Sequence, residues 1–380
     1  MKIVFTGGGS GGHFYPIIAV AQELRALLKS EGIENVQFFF VSDDPYDQTL
    51  LDENGIIFKK NTTGKMRIYF SIENILDVFR TGAAVVRAFF MLYKIYPDVV
   101  FSKGAYASFP VVFAARLLRI PVIIHESDSV PGRANAFAAP FARRIAISFP
   151  DAADFFPPDK VARTGSPIRK ELLEPIREGS FETFGLQPGI PTVFIIGGSQ
   201  GAQFINDVLL KAGPELVQDL QIVHQIGPKN ISTFKATMDI VLEKNPHKNR
   251  YVMLPYLNLE QMRRAAGIAD LVVSRGGSTV FEIAAWGTPS IIIPITHSNG
   301  DHQRKNAFAY ARVGACEVIE EENLTERLFI TEVRRILGDA ALLQSMRAAA
   351  GEFSTKDAAG KIAREIVNVL KEHGESYGKK

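Results

Sequence analysis

Two glycine-rich runs hold the first residues in this chain whose types and spacing could do chemistry. Gly7-Gly8-Gly9-Ser10-Gly11-Gly12-His13 follows the apolar run Ile3-Val4-Phe5-Thr6 and precedes a helical pattern with Pro16 in its first turn. Glycine lets a backbone approach a ligand closely and take positive φ, and the unpaired amides of a helix start attract phosphate. Proline costs little there, because a first-turn amide has no intrahelical partner. Gly197-Gly198-Ser199-Gln200-Gly201-Ala202 repeats the strand, loop and helix setting. It lacks the lysine and Ser/Thr of a P-loop, which argues against ATP hydrolysis. The first run also fits G-x-G-x-x-G, but a dinucleotide fold expects an acidic residue about 20 positions on. Asp43 and Asp44 come too late in the chain for that, which counts against a nicotinamide enzyme.

Further polar groups cluster in the second half. Ser274-Arg275-Gly276-Gly277-Ser278-Thr279-Val280-Phe281-Glu282 offers hydroxyls, amides and one carboxylate. Such a carboxylate can accept from both hydroxyls of a ribose diol. Thr279-x-x-Glu282 is equally a capping box that only closes a helix start. The run from His297 to Asn306, with Asp301, His302 and Gln303 inside it, could read a sugar, or could be a solvated loop with a helix cap at Asp301. His13 is the leading general base, since an unperturbed imidazole titrates near neutral pH; the alternative is a histidine that only hydrogen-bonds its own loop.

These groups need a scaffold, and the pattern around them supplies one. Short β-branched and aromatic runs such as Val36–Val41, Asp98–Phe101 and Pro121–His125 alternate with helical periodicity, for example Ile17, Val20, Ala21, Leu24 and Leu28. That alternation predicts βα units around a parallel sheet. A second series starts at Thr192–Ile196 and continues through Leu271–Ser274 and Ser290–Pro294. Phe155-Phe156-Pro157-Pro158 and Thr164-Gly165-Ser166-Pro167 break the pattern between them. The expected division is 1–164 for a first domain, 165–352 for a second, and 353–380 for a C-terminal helix that can return to the first. Two facing α/β domains would place a ligand in the crevice outside the carboxyl ends of their strands.

Composition narrows the class further. The chain has 380 residues, a hydrophobic fraction of 46%, a charged fraction of 22% and a net charge of +2. This is ordinary for a globular protein, and it gives no global charge excess for nucleic acid. A single cysteine, Cys316, excludes a disulfide framework and suits a reducing compartment. The start Met1-Lys2-Ile3-Val4 enters a strand directly, with no signal-peptide pattern, so a cytoplasmic protein is expected. No apolar run reaches the roughly 20 residues that span a bilayer. The stretch from Lys59 to Lys94 mixes Lys59, Lys60, Lys65, Arg67, Arg80, Arg87 and Lys94 with Val78, Phe79, Phe89, Phe90 and Tyr93. It suits an anionic membrane surface, or else a buried helix with a snorkelling polar edge.

Taken in combination and order, these residues resemble the MurG family of glycosyltransferases over nearly the whole chain. The resemblance rests on Gly8 to His13 with Pro16, Gly104-Ala105-Tyr106-Ala107-Ser108, His125-Glu126, Pro131-Gly132 with Asn135, Gly197 to Ala202, Ser274 to Glu282, and Asp301-His302-Gln303 with Asn306. It implies an α/β fold of two Rossmann-like domains facing a cleft, the GT-B architecture. It implies inverting transfer of N-acetylglucosamine from UDP-N-acetylglucosamine to undecaprenyl-diphosphate-linked N-acetylmuramoyl-pentapeptide in peptidoglycan synthesis. By position, Ser10, Gly11, Gly12, Asp128, Arg169, Ser199, Leu257, Ser278, Thr279, Val280, Phe281, Glu282, His302, Gln303 and Asn306 would serve the donor. Gly104, Tyr106, His125, Glu126 and Asn135 would serve the acceptor, and His13 the proton transfer. No metal or other cofactor is implied. The expected partners are the two substrates, the inner face of the cytoplasmic membrane and other cell-wall synthesis proteins.

The chain departs from the family at two places. His125-Glu126-Ser127-Asp128 stands where His-Glu-Gln-Asn is usual, so a carboxylate replaces an amide. Such a charge opposes a nearby phosphate unless a cation or a proton offsets it. The segment Pro255-Tyr256-Leu257-Asn258-Leu259, expected to read uracil, is longer than usual.

Overall fold

A computed structural model describes residues 1–33, 35–64, 72–198, 201–296 and 299–378. Ser199 and Gln200 of the second glycine run, His297 and Ser298, and the basic Lys65 and Arg67 lie outside the described residues. The chain divides into two units, Met1–Arg169 with Thr355–Lys380, and Lys170–Ser354.

In the first unit seven strands form one parallel sheet: β1 (Lys2–Thr6), β2 (Gln37–Ser42), β3 (Ile56–Lys60), β4 (Val99–Ser102), β5 (Val122–Glu126), β6 (Arg144–Ile147) and β7 (Val161–Arg163). Their order is β3-β2-β1-β4-β5-β6-β7. The helices are α1 (Gly11–Ser30), α2 (Gln48–Glu53), α3 (Ile72–Ile95), α4 (Phe109–Leu117), α5 (Arg133–Ala138) and, from the far end of the chain, α14 (Ala358–Gly378). Successive strand residues point to opposite faces, so the sheet needs cover on both sides. Ile3, Phe5, Phe38, Phe40 and Phe101 are buried under Ile17, Val20 and Leu24 of α1 and Ile362, Ile366 and Leu370 of α14. Val4, Val41, Val100 and Ile124 are buried on the other face under Ala88 and Leu92 of α3 and Val111 and Ala115 of α4.

The second unit repeats the plan with six parallel strands: β8 (Thr192–Ile196), β9 (Gln221–Gln225), β10 (Tyr251–Leu254), β11 (Leu271–Ser274), β12 (Ser290–Ile292) and β13 (Cys316–Val318), in the order β10-β9-β8-β11-β12-β13. Its helices are α6 (Ser180–Phe184), α7 (Gln203–Leu216), α8 (Ile231–Val241), α9 (Leu259–Ile268), α10 (Thr279–Trp286), α11 (His302–Arg312), α12 (Glu326–Gly338) and α13 (Ala340–Phe353). One polar knot sits in this core. His224 Nδ1 lies 3.0 Å from the Tyr251 hydroxyl and its Nε2 3.1 Å from Asn206 Oδ1, tying β9 to β10 and α7. Burial lowers the His224 pKa to about 3, so the ring stays neutral.

Strand order reverses between β1 and β4 in the first sheet and between β8 and β11 in the second. Those are the switch points where open α/β sheets bind ligands, and each glycine run leaves the sheet there. The unit boundaries fall at Arg169/Lys170 and Ser354/Thr355, whereas the sequence pattern set them at 164/165 and 352/353. The residues from Gly165 to Arg169 stay with the first unit for identifiable reasons. The Gly165 carbonyl lies 3.0 Å from His125 Nε2, and Arg169 stacks 4.1 Å from the Tyr15 ring centre. A Cβ on Gly165 would lie 2.4 Å from Thr355 Cβ.

Candidate active site

The first glycine run is packed too tightly for side chains. A Cβ on Gly7 would lie 3.1 Å from both Ile17 Cδ1 and Lys103 Cβ, and one on Gly8 would lie 2.7 Å from Ser42 Oγ. Gly9 takes φ +86°, a conformation costly for any other residue. The run delivers Ser10 to the N-cap of α1, but the Ser10 side chain makes no capping bond. Its Oγ instead shares a 3.0 Å hydrogen bond with His13 Nδ1. The first turn of α1 holds no acidic residue, so nothing on the helix itself neutralises its positive end. Beside it, Gly8, Gly9, Ser10, Asp43, Tyr46, Lys60 and Tyr106 line a cavity of about 350 Å³. The Tyr106 hydroxyl donates to Asp43 Oδ2 across that cavity. Burial and the Asp43 carboxylate push the phenol well above its ordinary pKa.

After β4, Ser102 Oγ accepts from the Gly104 N–H at 3.2 Å, and Gly104 passes so close to Asn135 that a Cβ would lie 2.9 Å from Nδ2. After β5, Glu126 is buried and fully engaged. Its Oε1 accepts from the Asp128 N–H at 3.0 Å; its Oε2 accepts from the Gly132 N–H at 3.0 Å and from Asn135 Nδ2 at 2.9 Å. Asn135 Nδ2 also donates to the His125 carbonyl at 3.0 Å. The His125 ring is buried against the Gly165 carbonyl and Ser148 Oγ, and burial holds its pKa well below the ordinary value. His125, Glu126 and Asn135 therefore come together as the internal frame of the loop that carries Asp128. Burial, then Asp128, raises the Glu126 carboxyl.

The residue that sequence reading missed is Lys103. It closes the apolar strand β4, is 1% exposed, and its Nζ has no hydrogen-bond partner. Its backbone N–H donates to the Thr6 carbonyl at 2.8 Å, which fixes it beside the first glycine run. Burial lowers its pKa to about 8, while Glu126 and Asp128 act in the opposite sense. The same burial, followed by the Lys103 charge, lowers the His13 pKa to about 4 against an upward pull from Asp128. The signal was present in the sequence: a lysine ending Val99-Val100-Phe101-Ser102, directly before Gly104.

In the second unit, Gly197 and Gly198 leave β8 and Gly201 meets α7. A Cβ on Gly201 would fall 2.0 Å from the Ile226 carbonyl oxygen, at φ +76°. Gln225 ties this loop to the segment expected to read a base. Its Nε2 donates to the Gly198 carbonyl at 2.8 Å, and its Oε1 accepts from the buried Leu257 N–H at 3.1 Å. After β11, Gly276 lies so close to α11 that a Cβ would sit 2.2 Å from the Gln303 carbonyl oxygen. Asn306 is buried and donates from Nδ2 to the Gly276 carbonyl at 3.1 Å, and Gln303 Oε1 accepts from the Ile295 N–H at 3.2 Å. Thus Asn306 and Gln303 fasten α11 to the loops after β11 and β12. Thr279 is the first residue inside α10, and the N-cap Ser278 makes no side-chain capping bond. The helix start therefore does not use a Thr279-based capping box, and Glu282 lies in its first turn. Val280 and Phe281 bury their side chains, with the Phe281 ring stacked on Phe353 at 5.8 Å, so only their main chain can serve a ligand. Asp301 stands at the N-cap of α11 at φ +60° without a side-chain capping bond. Among the described residues no group of three or more His, Cys, Asp or Glu could hold a metal.

Comparison with known proteins places this geometry. The Glycosyltransferase family 28 N-terminal domain matches residues 3–147 and the Glycosyltransferase family 28 C-terminal domain matches residues 192–362. A curated UDP-N-acetylglucosamine–N-acetylmuramyl-(pentapeptide) pyrophosphoryl-undecaprenol N-acetylglucosamine transferase from Clostridium kluyveri is 34% identical over 376 residues, covering 98% of this chain and 99% of its own. One of the same name from Lachnospira eligens is 38% identical over 341 residues, covering 89% and 91%. The crystal structure of Acinetobacter baumannii MurG superposes with a TM-score of 0.73 at 25% identity, covering 97% of this chain and 99% of that one.

Proposed function

The chain belongs to the MurG glycosyltransferases of family 28, and from that premise we infer that it transfers N-acetylglucosamine from UDP-N-acetylglucosamine to the 4-hydroxyl of undecaprenyl-diphosphate-linked N-acetylmuramoyl-pentapeptide. The observation that carries the mechanism is the placement of His13 in the first turn of α1, its Nδ1 3.0 Å from Ser10 Oγ, beside the first switch point. The acceptor oxygen attacks the anomeric carbon, the bond from that carbon to the diphosphate breaks with its electron pair leaving on UDP, and His13 takes the hydroxyl proton. The anomeric centre inverts in this single displacement. Charge gathers on the leaving diphosphate, and glycine-loop amides at a helix start suit it.

The second unit serves the donor in this reading. Glu282 holds the ribose hydroxyls, the main chain near Leu257 reads uracil, and the Ser278 to Phe281 backbone with Ser199 meets the diphosphate. His302, Gln303 and Asn306 shape the sugar site. The first unit serves the acceptor through Gly104 and Tyr106 on the loop after β4, and through the loop after β5 that His125, Glu126 and Asn135 frame. Ser10, Gly11, Gly12, Asp128 and Arg169 reach the donor from the first unit. Membrane contact is peripheral, through the outward face of α3, where Phe79 is 73% and Phe90 58% exposed. Among the described residues no helix is long and apolar enough to cross a membrane.

The test is transfer of labelled GlcNAc to a lipid-linked muramoyl-pentapeptide by the purified protein, with His13→Ala alongside. The variant is expected to lose turnover by at least a hundredfold, the lower end of general-base contributions, and to keep its affinity for UDP-N-acetylglucosamine. No transfer by the unaltered protein sinks the function, and near-normal turnover by His13→Ala removes the base.

A further inference from the structure

A buried ammonium without a hydrogen-bond acceptor is costly, and proteins keep one where its charge acts on something else. Lys103 is such a group, and its surroundings show what it acts on. Glu126, whose charge acts on the lysine, has its two oxygens occupied by three N–H donors, so it does not close onto the lysine. Asp128 stands on the same loop and contributes the second negative charge. Lys103 Cβ packs against Gly7, and Gly7 in turn lies 3.8 Å, through its would-be Cβ, from His13 Cβ. Lys103 and His13 thus both border Gly7, and the charges of Glu126 and Asp128 act on the lysine. The other charged groups at the cavity beside the first glycine run are Asp43, which accepts from Tyr106, Asp44, which accepts from the Tyr46 N–H at 2.6 Å, and Lys60; the first turn of α1 holds no acid. His125 is buried, neutral and held by Gly165.

We propose that Lys103 is a positioning residue for the transfer reaction: its ammonium offsets Asp128 and keeps the His13 imidazole free of a proton until an anionic substrate arrives. The proposal rests on the function inferred above for what His13 does, and on geometry for what Lys103 does to it. Asp128 draws the ring toward the imidazolium form; Lys103 opposes that pull, and burial, the largest influence, acts in the same sense as the lysine. A diphosphate entering beside the glycine loop then adds negative charge, which raises the proton affinity of the ring at the moment the acceptor hydroxyl must release its proton. The chain therefore carries its own answer to the unusual aspartate at 128: a lysine buried one strand away.

The experiment is a ¹³C-histidine NMR titration of the ligand-free full-length protein, with the His13 signal assigned by its loss in His13→Gln. In the unaltered protein the ring is expected to stay neutral from pH 8 to about 5. In Lys103→Met its midpoint is expected to rise by about 1 pH unit or more, the size of a neighbouring-charge effect. In Lys103→Met/Asp128→Asn, with both charges gone, it is expected to fall back toward the unaltered protein. Lys103→Gln provides a second neutral replacement should the apolar side chain disturb the fold, judged by an unchanged thermal transition. An unmoved His13 midpoint in a folded Lys103 variant overturns the proposal. This readout needs no turnover, so it separates failure of the charge arrangement from failure of the proposed reaction. The acid limb of kcat/KM for GlcNAc transfer should move upward with the NMR midpoint in Lys103→Met; a uniform loss across pH would mean that Lys103 is only structural.

Discussion

Ala105 shows how the loop after β4 is held at the scale of one residue. It takes φ 68° and ψ 167°, a region that glycine occupies readily and other residues at a cost of about 1 to 3 kcal/mol. The preceding Gly104 is already at φ +82°, so two consecutive residues turn the chain out of β4 and into Tyr106. Ala105→Gly is expected to raise stability by about 1 kcal/mol, because relief of this strain exceeds the added freedom of the unfolded chain. Urea unfolding measures it, and a lower midpoint would mean that the position carries no usable strain. Residue type told only part of this story. The glycines and His13 were legible because their chemistry is local to a short run. Lys103 was only half legible: the apolar strand before it hinted at burial, but the charge of Asp128 acts on it only once β4 and β5 pair. His125, Glu126 and Asn135 were legible as a group, yet their inward orientation came from hydrogen bonds that only the folded loop creates.

At the scale of elements, α3 carries one buried and one open apolar stripe, where its sequence left two readings open. Ala84, Ala88, Leu92 and Ile95 recur at helical spacing and are buried, whereas Phe79, Val86, Phe90 and Tyr93 form a second stripe, also at helical spacing, and are exposed. A helix with one buried stripe and a second apolar stripe open to solvent has a face left to cover. Arg80 pairs with Asp77 at 3.0 Å and Arg87 donates to the Thr62 carbonyl, which keeps both cations beside that stripe. The replacement Phe79→Ser/Phe90→Ser is expected to weaken binding to anionic vesicles at least tenfold, on the scale of about 1.5 to 3 kcal/mol for each buried aromatic. Arg80→Glu/Arg87→Glu should weaken it further at low salt than at high salt. Vesicle sedimentation reads both, and unchanged binding in both variants excludes α3 as the contact. The amphipathic run predicted a helix here, but periodicity could not say which apolar face lacked a neighbour. The start of α10 is the converse case: spacing offered a capping box, and the helix begins one residue too early to use it.

The whole molecule is two parallel sheets with the same opening order, and the break between their two series was legible as a proline- and glycine-rich interruption. What periodicity could not supply was the membership of Gly165 to Arg169 and of α14, because both depend on contacts with residues far away in the chain. Ile362, Ile366, Val367, Val369 and Leu370 of α14 are all buried in the first core. At about 1.5 to 3 kcal/mol for each such side chain, their loss matches or exceeds the whole margin of a typical domain, about 5 to 15 kcal/mol. A chain ending at Ser354 is therefore expected to lose the cooperative unfolding of its first unit, while residues 170–354 made alone keep a cooperative transition of their own. Calorimetry of the two fragments checks this, and a native-like first-unit transition without α14 would contradict it.

That closing helix also sets an order in time. Synthesis runs from the first residue to the last, at about 5 to 20 residues per second. All of the second unit leaves the ribosome before α14 does. The unit that comes second in the sequence can complete its core first, while the unit that begins the chain waits, with the α1 side of its sheet only partly covered, for residues made near the end. During that interval the nascent first unit shows a long apolar face, and a chaperone that screens such faces would meet the front half of this protein and not its middle.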